Sequence, residues 1–395
     1  MQAMTRAGGS GAGSRVRLPE TTGLTLLSSS DGMERFFGDR LGELAGRRSG
    51  SGSRLPVSLS GFGSRGYRML ADRMGRAGLL PLQGGGDGGG ADHAALQPGS
   101  AVGVKLVRGD VEIAATGTVT SIDGDQVLAF GHPLFQLGQV DLPMTSARVE
   151  ALLPSLHVSS RITRTLSEVG ALRQDRPSGI QGVLGARPGM IPIRLRYGDR
   201  DGQQTYSFDV ADDPMLAPAL VFHTLGGILA DKDRPGAAAT IRLGEGSVIQ
   251  LEGQDDVSLA NLFAGTDSQF FAAGSTAYIL HLLMNNEWET PAVAGINLVL
   301  EQEPEPRSGR VIALTLDRYR ARPGDTVRAT VTVSPWRGPD AAVSMDLVVP
   351  PGEPAGNLRI QAGGVLDLIR AQGSAANRVL PHRLDQFIRL INTLR

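Results

Sequence analysis

The chain has 395 residues, 41% of them hydrophobic and 20% charged, with a formal net charge of −1. That length suits two or three domains of ordinary globular composition, and the charge balance gives no reason to expect a nucleic-acid partner. Cysteine is absent, which excludes disulfides, thiolate nucleophiles and zinc sites with cysteine ligands.

In chain order, residues 1–97 read as an N-terminal arm. Residues 1–54 are rich in Gly, Ser and Arg, and most of them are expected to be mobile. A weak amphipathic piece carries Met33, Phe36, Phe37, Leu41 and Leu44. Leu55–Leu59 alternates as a short strand, and Tyr67, Leu70 and Met74 have helical spacing within Ser64–Leu79. The run Gly84–Gly90 is not followed by Gly-Lys-Ser/Thr, so it reads as a linker and not as a phosphate-binding loop.

Residues 98–230 carry the sharpest signals. Ala101–Val107, Val111–Ala115, Thr116–Ile122 and Gln126–Phe130 read as strands, the last two joined by Asp123-Gly124, a strong hairpin signal. Thr145 or Ser146 has the chemistry to cap a short helix carrying Val149, Leu152 and Leu153. Strand-like runs follow at Leu156–Thr163, Glu168–Arg173, Gly179–Leu184, Met190–Tyr197 and Gln203–Val210, which predicts a barrel or sandwich. Asp212-Asp213-Pro214 then opens an apolar helix. Residues 231–306 read as a mixed α/β extension, with helices at Leu259–Phe263 and Gln269–Met284 and strands around them. Residues 307–362 have the alternation of a small β-sandwich, and 363–395 form a tail with helical pieces at Val365–Ala371 and from Leu384 onward. The longest apolar runs, Met215–Ala230 and Phe270–Met284, fall short of a membrane span and read as buried helices.

The stretch Ala129-Phe130-Gly131-His132-Pro133-Leu134-Phe135 organises this pattern. An apolar strand ends on a glycine that lets the backbone turn, and Pro133 prevents the strand from continuing. Of the six histidines, His132 alone stands at such a strand end. A histidine fixed in this way has the makings of a general base; the same placement also suits a ring that only caps a strand by hydrogen bonding. No cofactor or metal motif accompanies it.

Ala115-Thr116-Gly117-Thr118-Val119-Thr120, Asp123-Gly124 and Ala129–Pro133, together with Arg173-Gln174-Asp175-Arg176, Ser178-Gly179-Ile180 and Gly182-Val183-Leu184-Gly185, resemble the SpoIVB-type serine peptidase family. The resemblance runs from about Pro98 to Leu225. It implies a mainly β protein with a chymotrypsin-like barrel, a protein or peptide substrate, His132 as general base and Asp213 as the aspartate that orients it. A plain helix cap is the other reading of Asp213. The family's nucleophile motif, Gly-x-Ser-Gly-Ser-Pro, does not occur in this sequence; Gly8-Gly9-Ser10-Gly11-Ala12 and Arg47-Arg48-Ser49-Gly50-Ser51 come nearest. Ser178, on a turn, and Ser275, in a helical run, have glycine neighbours but no motif that would build an oxyanion hole. The expectation is therefore a peptidase-like domain that is inactive alone. The simplest account makes it the C-terminal part of a longer exported protein, hence extracytoplasmic. The alternative is a non-catalytic envelope binding or scaffold module.

Overall fold

The computed structural model describes residues 29–46, 54–84, 95–153, 160–199, 202–232, 237–352, 354–364 and 381–393. The protein is mainly β, with five helices among these residues. Strand β3 (Ala101–Gly109) leads into β4 (Glu112–Asp123), which folds back through a turn at Gly124 (φ 59°) into β5 (Gln126–Ala129). Next come β6 (Gly138–Leu153), β7 (Ser160–Arg176) and β8 (Gly179–Leu184). Their ladders run β3–β6–β7–β8–β5–β4 and return to β3, every pair antiparallel. Six strands thus close into a ring, which removes the exposed sheet edges that an open sheet presents. Val102, Val104, Val119, Val127, Leu142, Met144, Leu172 and Ile180 are buried in it.

Two units flank the ring and share its sheet. Strand β1 (Leu55–Ser60) pairs with the first half of β4 and, in parallel, with β2 (Leu79–Gln83). The crossover between β1 and β2 is α2 (Ser64–Arg76), which follows α1 (Ser30–Gly46). On the other side β10 (Gly202–Ala211) pairs with the far end of β3, at Val210↔Val107. The sheet then continues through β9 (Met190–Asp199) to β15 (Val293–Glu303), which runs parallel to β9. One end of β15 takes β12 (Val248–Leu251) and β13 (Val257–Ser258); the other takes β11 (Ala239–Leu243) and β14 (Asn261–Gly265). Helices α1, α2, α3 (Ala217–Ala230) and α4 (Ser268–Met284) pack on one another. Phe37 of α1 stacks on Phe222 of α3 with centroids 4.8 Å apart, and both are buried. No helix among the described residues is long and apolar enough to cross a membrane.

Several expectations are corrected. Thr145–Leu153 is not a helix but part of β6, because its backbone groups pair with β3 and β7, and tertiary pairing overrides a spacing that fits a helix face. Leu259–Phe263 likewise leads into strand β14. The N-terminal region is no loose arm where it is described: α1 contributes Phe37, Leu41 and Leu44 to the core, and β1-α2-β2 extends the large sheet. The sheet runs without a break across the residue 97/98 and 230/231 boundaries drawn from sequence. The C-terminal β unit is a single three-stranded antiparallel sheet of β16 (Gly309–Leu316), β17 (Thr326–Pro335) and β18 (Ala341–Val348), with no second sheet among the described residues to make a sandwich. Val365–Ala371, most of Gly84–Gly90 and residues 1–28 lie outside the described residues. The amphipathic tail forms α5 (Leu384–Thr393), pinned to the outer sheet where the Asn392 side chain donates to the Asp256 carbonyl at 3.0 Å and accepts from the Ser258 amide at 3.2 Å.

Candidate functional site

The ring positions His132 through a backbone that few sequences tolerate. Strand β5 ends at Ala129, and Phe130 and Gly131 both adopt φ near 71°. Left-handed backbone is free for Gly131 but strained for phenylalanine, at roughly 1–3 kcal/mol. The compensation is local. The Phe130 amide donates to the Thr118 carbonyl at 2.9 Å, and the Phe130 ring lies where any side chain at Gly117 would collide with it. Gly117 of the Gly-Thr-Val-Thr segment is therefore the seat of Phe130, and the Phe130 ring in turn lies 5.6 Å, centroid to centroid, from the His132 imidazole.

Beyond His132 the chain is clamped by one carboxylate. Asp175, near the end of β7, is completely buried. Its Oδ1 accepts from the Leu134 amide at 2.7 Å, and its Oδ2 accepts from Phe135 at 2.7 Å and Leu137 at 3.2 Å. Hydrogen bonds to an ionised acceptor are stronger than neutral ones, so this aspartate fixes the loop from His132 to the start of β6. The Arg173-Gln174-Asp175-Arg176 motif shows the residue but not this role, because its partners lie about 40 residues earlier in the chain.

His132 is half-buried, and its Nδ1 lies 2.9 Å from the Pro133 carbonyl oxygen. Only an N–H can bond a carbonyl, so in the neutral ring Nδ1 carries the proton and Nε2 holds the basic lone pair. That is the tautomer a general base needs. Asp213 is placed differently. Its Oδ1 accepts from the amides of Met215 (2.8 Å) and Leu216 (3.0 Å), and its carbonyl accepts from Leu216 and Ala217, so it caps the turn that opens α3. Among the described residues there is no hydrogen bond between Asp213 and His132. Next to Asp213, Asp212 has a carboxyl held above the usual range by partial desolvation and then by the neighbouring carboxylates of Asp213 and Asp141, although the residue as a whole is exposed.

No family model, curated protein or solved structure matches the chain.

Ser178 stands nearer to His132 than its sequence number suggests. Strands β5 and β8 pair Ala129 with Ile180, which brings the β7–β8 turn that carries Ser178 against the end of β5. Gly179 (φ 147°) makes the approach close enough that a Cβ there would come 2.8 Å from the Ala129 carbonyl oxygen and 3.4 Å from the Gly131 nitrogen. Ser178 is exposed on this turn. Ser275 is elsewhere, on α4, with its hydroxyl donating to the Ala272 carbonyl. The described residues hold no group of three or more His, Asp or Glu placed to bind a metal ion.

Proposed function

We propose that this chain is a SpoIVB-like peptidase-type domain that contributes the general base His132 toward peptide-bond hydrolysis and is inactive alone. The observation that carries the reading is the His132 turn itself: a strained strand end on a closed antiparallel ring, clamped by a buried carboxylate, with Nδ1 occupied by a carbonyl so that Nε2 is basic. In this reading the Pro133 carbonyl fixes the tautomer of the ring, one part of what an orienting aspartate does in a triad, and Asp213 caps the start of α3 instead. Without a Gly-x-Ser-Gly-Ser nucleophile the base has no alkoxide to generate and no acyl-enzyme forms. A non-catalytic envelope binding module is the second reading, favoured by the same missing motif and by the commitment of Asp213 to helix amides.

The test is a fluorophosphonate labelling and peptide-cleavage assay on the purified chain. We expect neither labelling nor turnover. When a segment carrying Gly-x-Ser-Gly-Ser is joined N-terminally to the chain, both should appear, and His132→Ala should abolish turnover. Labelling of the unextended chain at Ser178, or an extended His132→Ala variant that still turns over, would overturn the reading.

A further inference from the structure

A cleft of about 490 Å³ lies where the outer sheet meets the far end of β3. That volume suits a small ligand or the end of a peptide. Two rows of residues cross its floor. In one, Ser207 of β10, Arg194 of β9 and Asn297 of β15 stand side by side; in the next come Asp209, Pro192 and, across β15 from it, Gln250 of β12 opposite Gly295. Gly295 keeps the floor low, since a Cβ there would approach the Pro192 carbonyl oxygen to 3.3 Å. Arg108 forms the wall on the barrel side.

The charges in this cleft are not equivalent. Lys105 is paired with Glu112 at 2.8 Å, and Arg108 is held between Asp209 and Glu168, each at 2.8 Å. Arg194 is exposed, and no carboxylate among the described residues pairs with it. Beside it, the Asn297 side-chain N–H donates to Gln250 Oε1 at 3.0 Å. That bond leaves Asn297 Oδ1 as an acceptor and Gln250 Nε2 as a donor, the complement of one peptide unit.

We propose that this cleft binds a carboxylate carried on an extended peptide, with Arg194 as its counter-charge and the Asn297–Gln250 pair on the adjoining amide. A guanidinium matches a carboxylate in shape and charge. Arg194 is the one uncommitted cation among the described lining residues, and with the Asp209 and Glu168 carboxylates in the same lining it suits one negative charge, whereas a phosphate would bring a second charge near those acids. The inference does not depend on the peptidase reading, because none of the residues that line the cleft takes part in the His132 turn.

The experiment is fluorescence anisotropy on the full chain with an N-terminally labelled alanine pentapeptide in three forms: free C-terminal acid, C-terminal amide, and amide with aspartate as the last residue. We expect the free acid to bind and the amide to bind about fivefold more weakly or worse, the scale of an exposed ion pair. The aspartyl amide tells a terminal carboxylate from a side-chain one: binding like the acid admits both sources, and binding like the plain amide restricts the cleft to chain ends. Arg194→Gln should remove the preference for acid over amide. Arg196→Gln, which makes the same charge change two residues along the same strand face, should keep it. Equal binding of acid and amide, no binding of any form, or equal losses in the two variants would overturn the proposal.

Discussion

The barrel and the helical layer both bury polar groups, but the helical layer leaves more of them without partners. In the barrel the Asp175 carboxylate meets three amides, Lys105 meets Glu112, and the hydroxyls of Thr116 and Thr163 meet at 2.6 Å; the buried Thr145 hydroxyl and Arg164 Nε, which have no hydrogen-bond partner among the described residues, are exceptions. In the helical layer Nη1 of Arg73 and the Thr224 hydroxyl are buried without a hydrogen-bond partner among the described residues, and the buried His223 ring makes no hydrogen bond of normal geometry, only a weak approach to the Phe37 backbone. That layer is held instead by apolar and aromatic contacts: Phe37 on Phe222, and the Arg73 guanidinium 5.3 Å from the Phe222 ring and 4.7 Å from the Phe270 ring. The difference teaches where geometry is specified. Partnered buried groups accept one arrangement, which suits the region that must aim an imidazole. Unpartnered ones are a standing cost that packing offsets, and they leave the layer open to disruption by protonation.

The largest effect that would sharpen this contrast is expected from Asp175→Ala. It strands three amides, two of them on the buried residues Leu134 and Phe135, and should lower stability by about 4–5 kcal/mol. Urea titration followed by circular dichroism reads the change; a loss under about 1 kcal/mol would mean the clamp is not what fixes the turn.

Acid should act chiefly on the helical layer. Burial, and then the charge of Arg73, push the His223 pKa down to about 3, with the Phe37 backbone as a smaller opposing influence. Burial and then Arg40, whose Nη1 lies 3.1 Å from Nδ1, push His281 down to about 4. Both rings are neutral in the folded protein at pH 7. Since the unfolded chain takes up protons near pH 6.5, stability is whole above that value and is lost as pH falls toward 4 and then 3. For His223 the loss is on the order of 4 kcal/mol. Urea midpoints at a series of pH values should show it, and His223→Leu should flatten the dependence; an unchanged slope would remove His223 from the account.

Gly117→Leu should cost about 2 kcal/mol by forcing the Phe130 ring from its seat. Because that ring lies beside His132, the His132 imidazole resonances should move as well, and destabilisation with unmoved resonances would uncouple the seat from the site. The smallest effects compare one substitution in two places. Thr163→Val breaks a hydroxyl pair and should cost about 1 kcal/mol, whereas Thr224→Val removes an orphan hydroxyl and should be neutral or stabilising by about 0.5 kcal/mol. Equal costs at the two sites would end the comparison between the layers.

Local chemistry carries much of this in the sequence. The Asp123-Gly124 turn, the Gly131 stop and the alternation of Met190–Tyr197 report strands and the exposed end of one of them. Helix α1 is visible in the spacing of Phe37, Leu41 and Leu44, but its docking against Phe222 is not, because nothing local names a partner so far along the chain. Val149, Leu152 and Leu153 fit a helix face as well as a strand, and only pairing with β3 and β7 decides between them. Asp175 is invisible for the same reason: its partners lie about 40 residues away. In the C-terminal region the alternation does announce an apolar face, with Val327, Ala329 and Val331 of β17 buried, but a period of two says nothing about whether one sheet or two will form. The Arg194 cleft needs five strands, β3, β10, β9, β15 and β12, in register before its residues meet.

Strand β3 belongs to both large units. At Val102–Val104 it bonds β4 on one side and β6 on the other; by Val107 the place of β6 has passed to β10, while β4 stays on its first side. Neither the ring nor the outer sheet can therefore open without exposing the amides of one shared strand. In hydrogen–deuterium exchange the β3 amides should be among the last to exchange, and both units should lose protection together, as a single cooperative block and not as two independent domains.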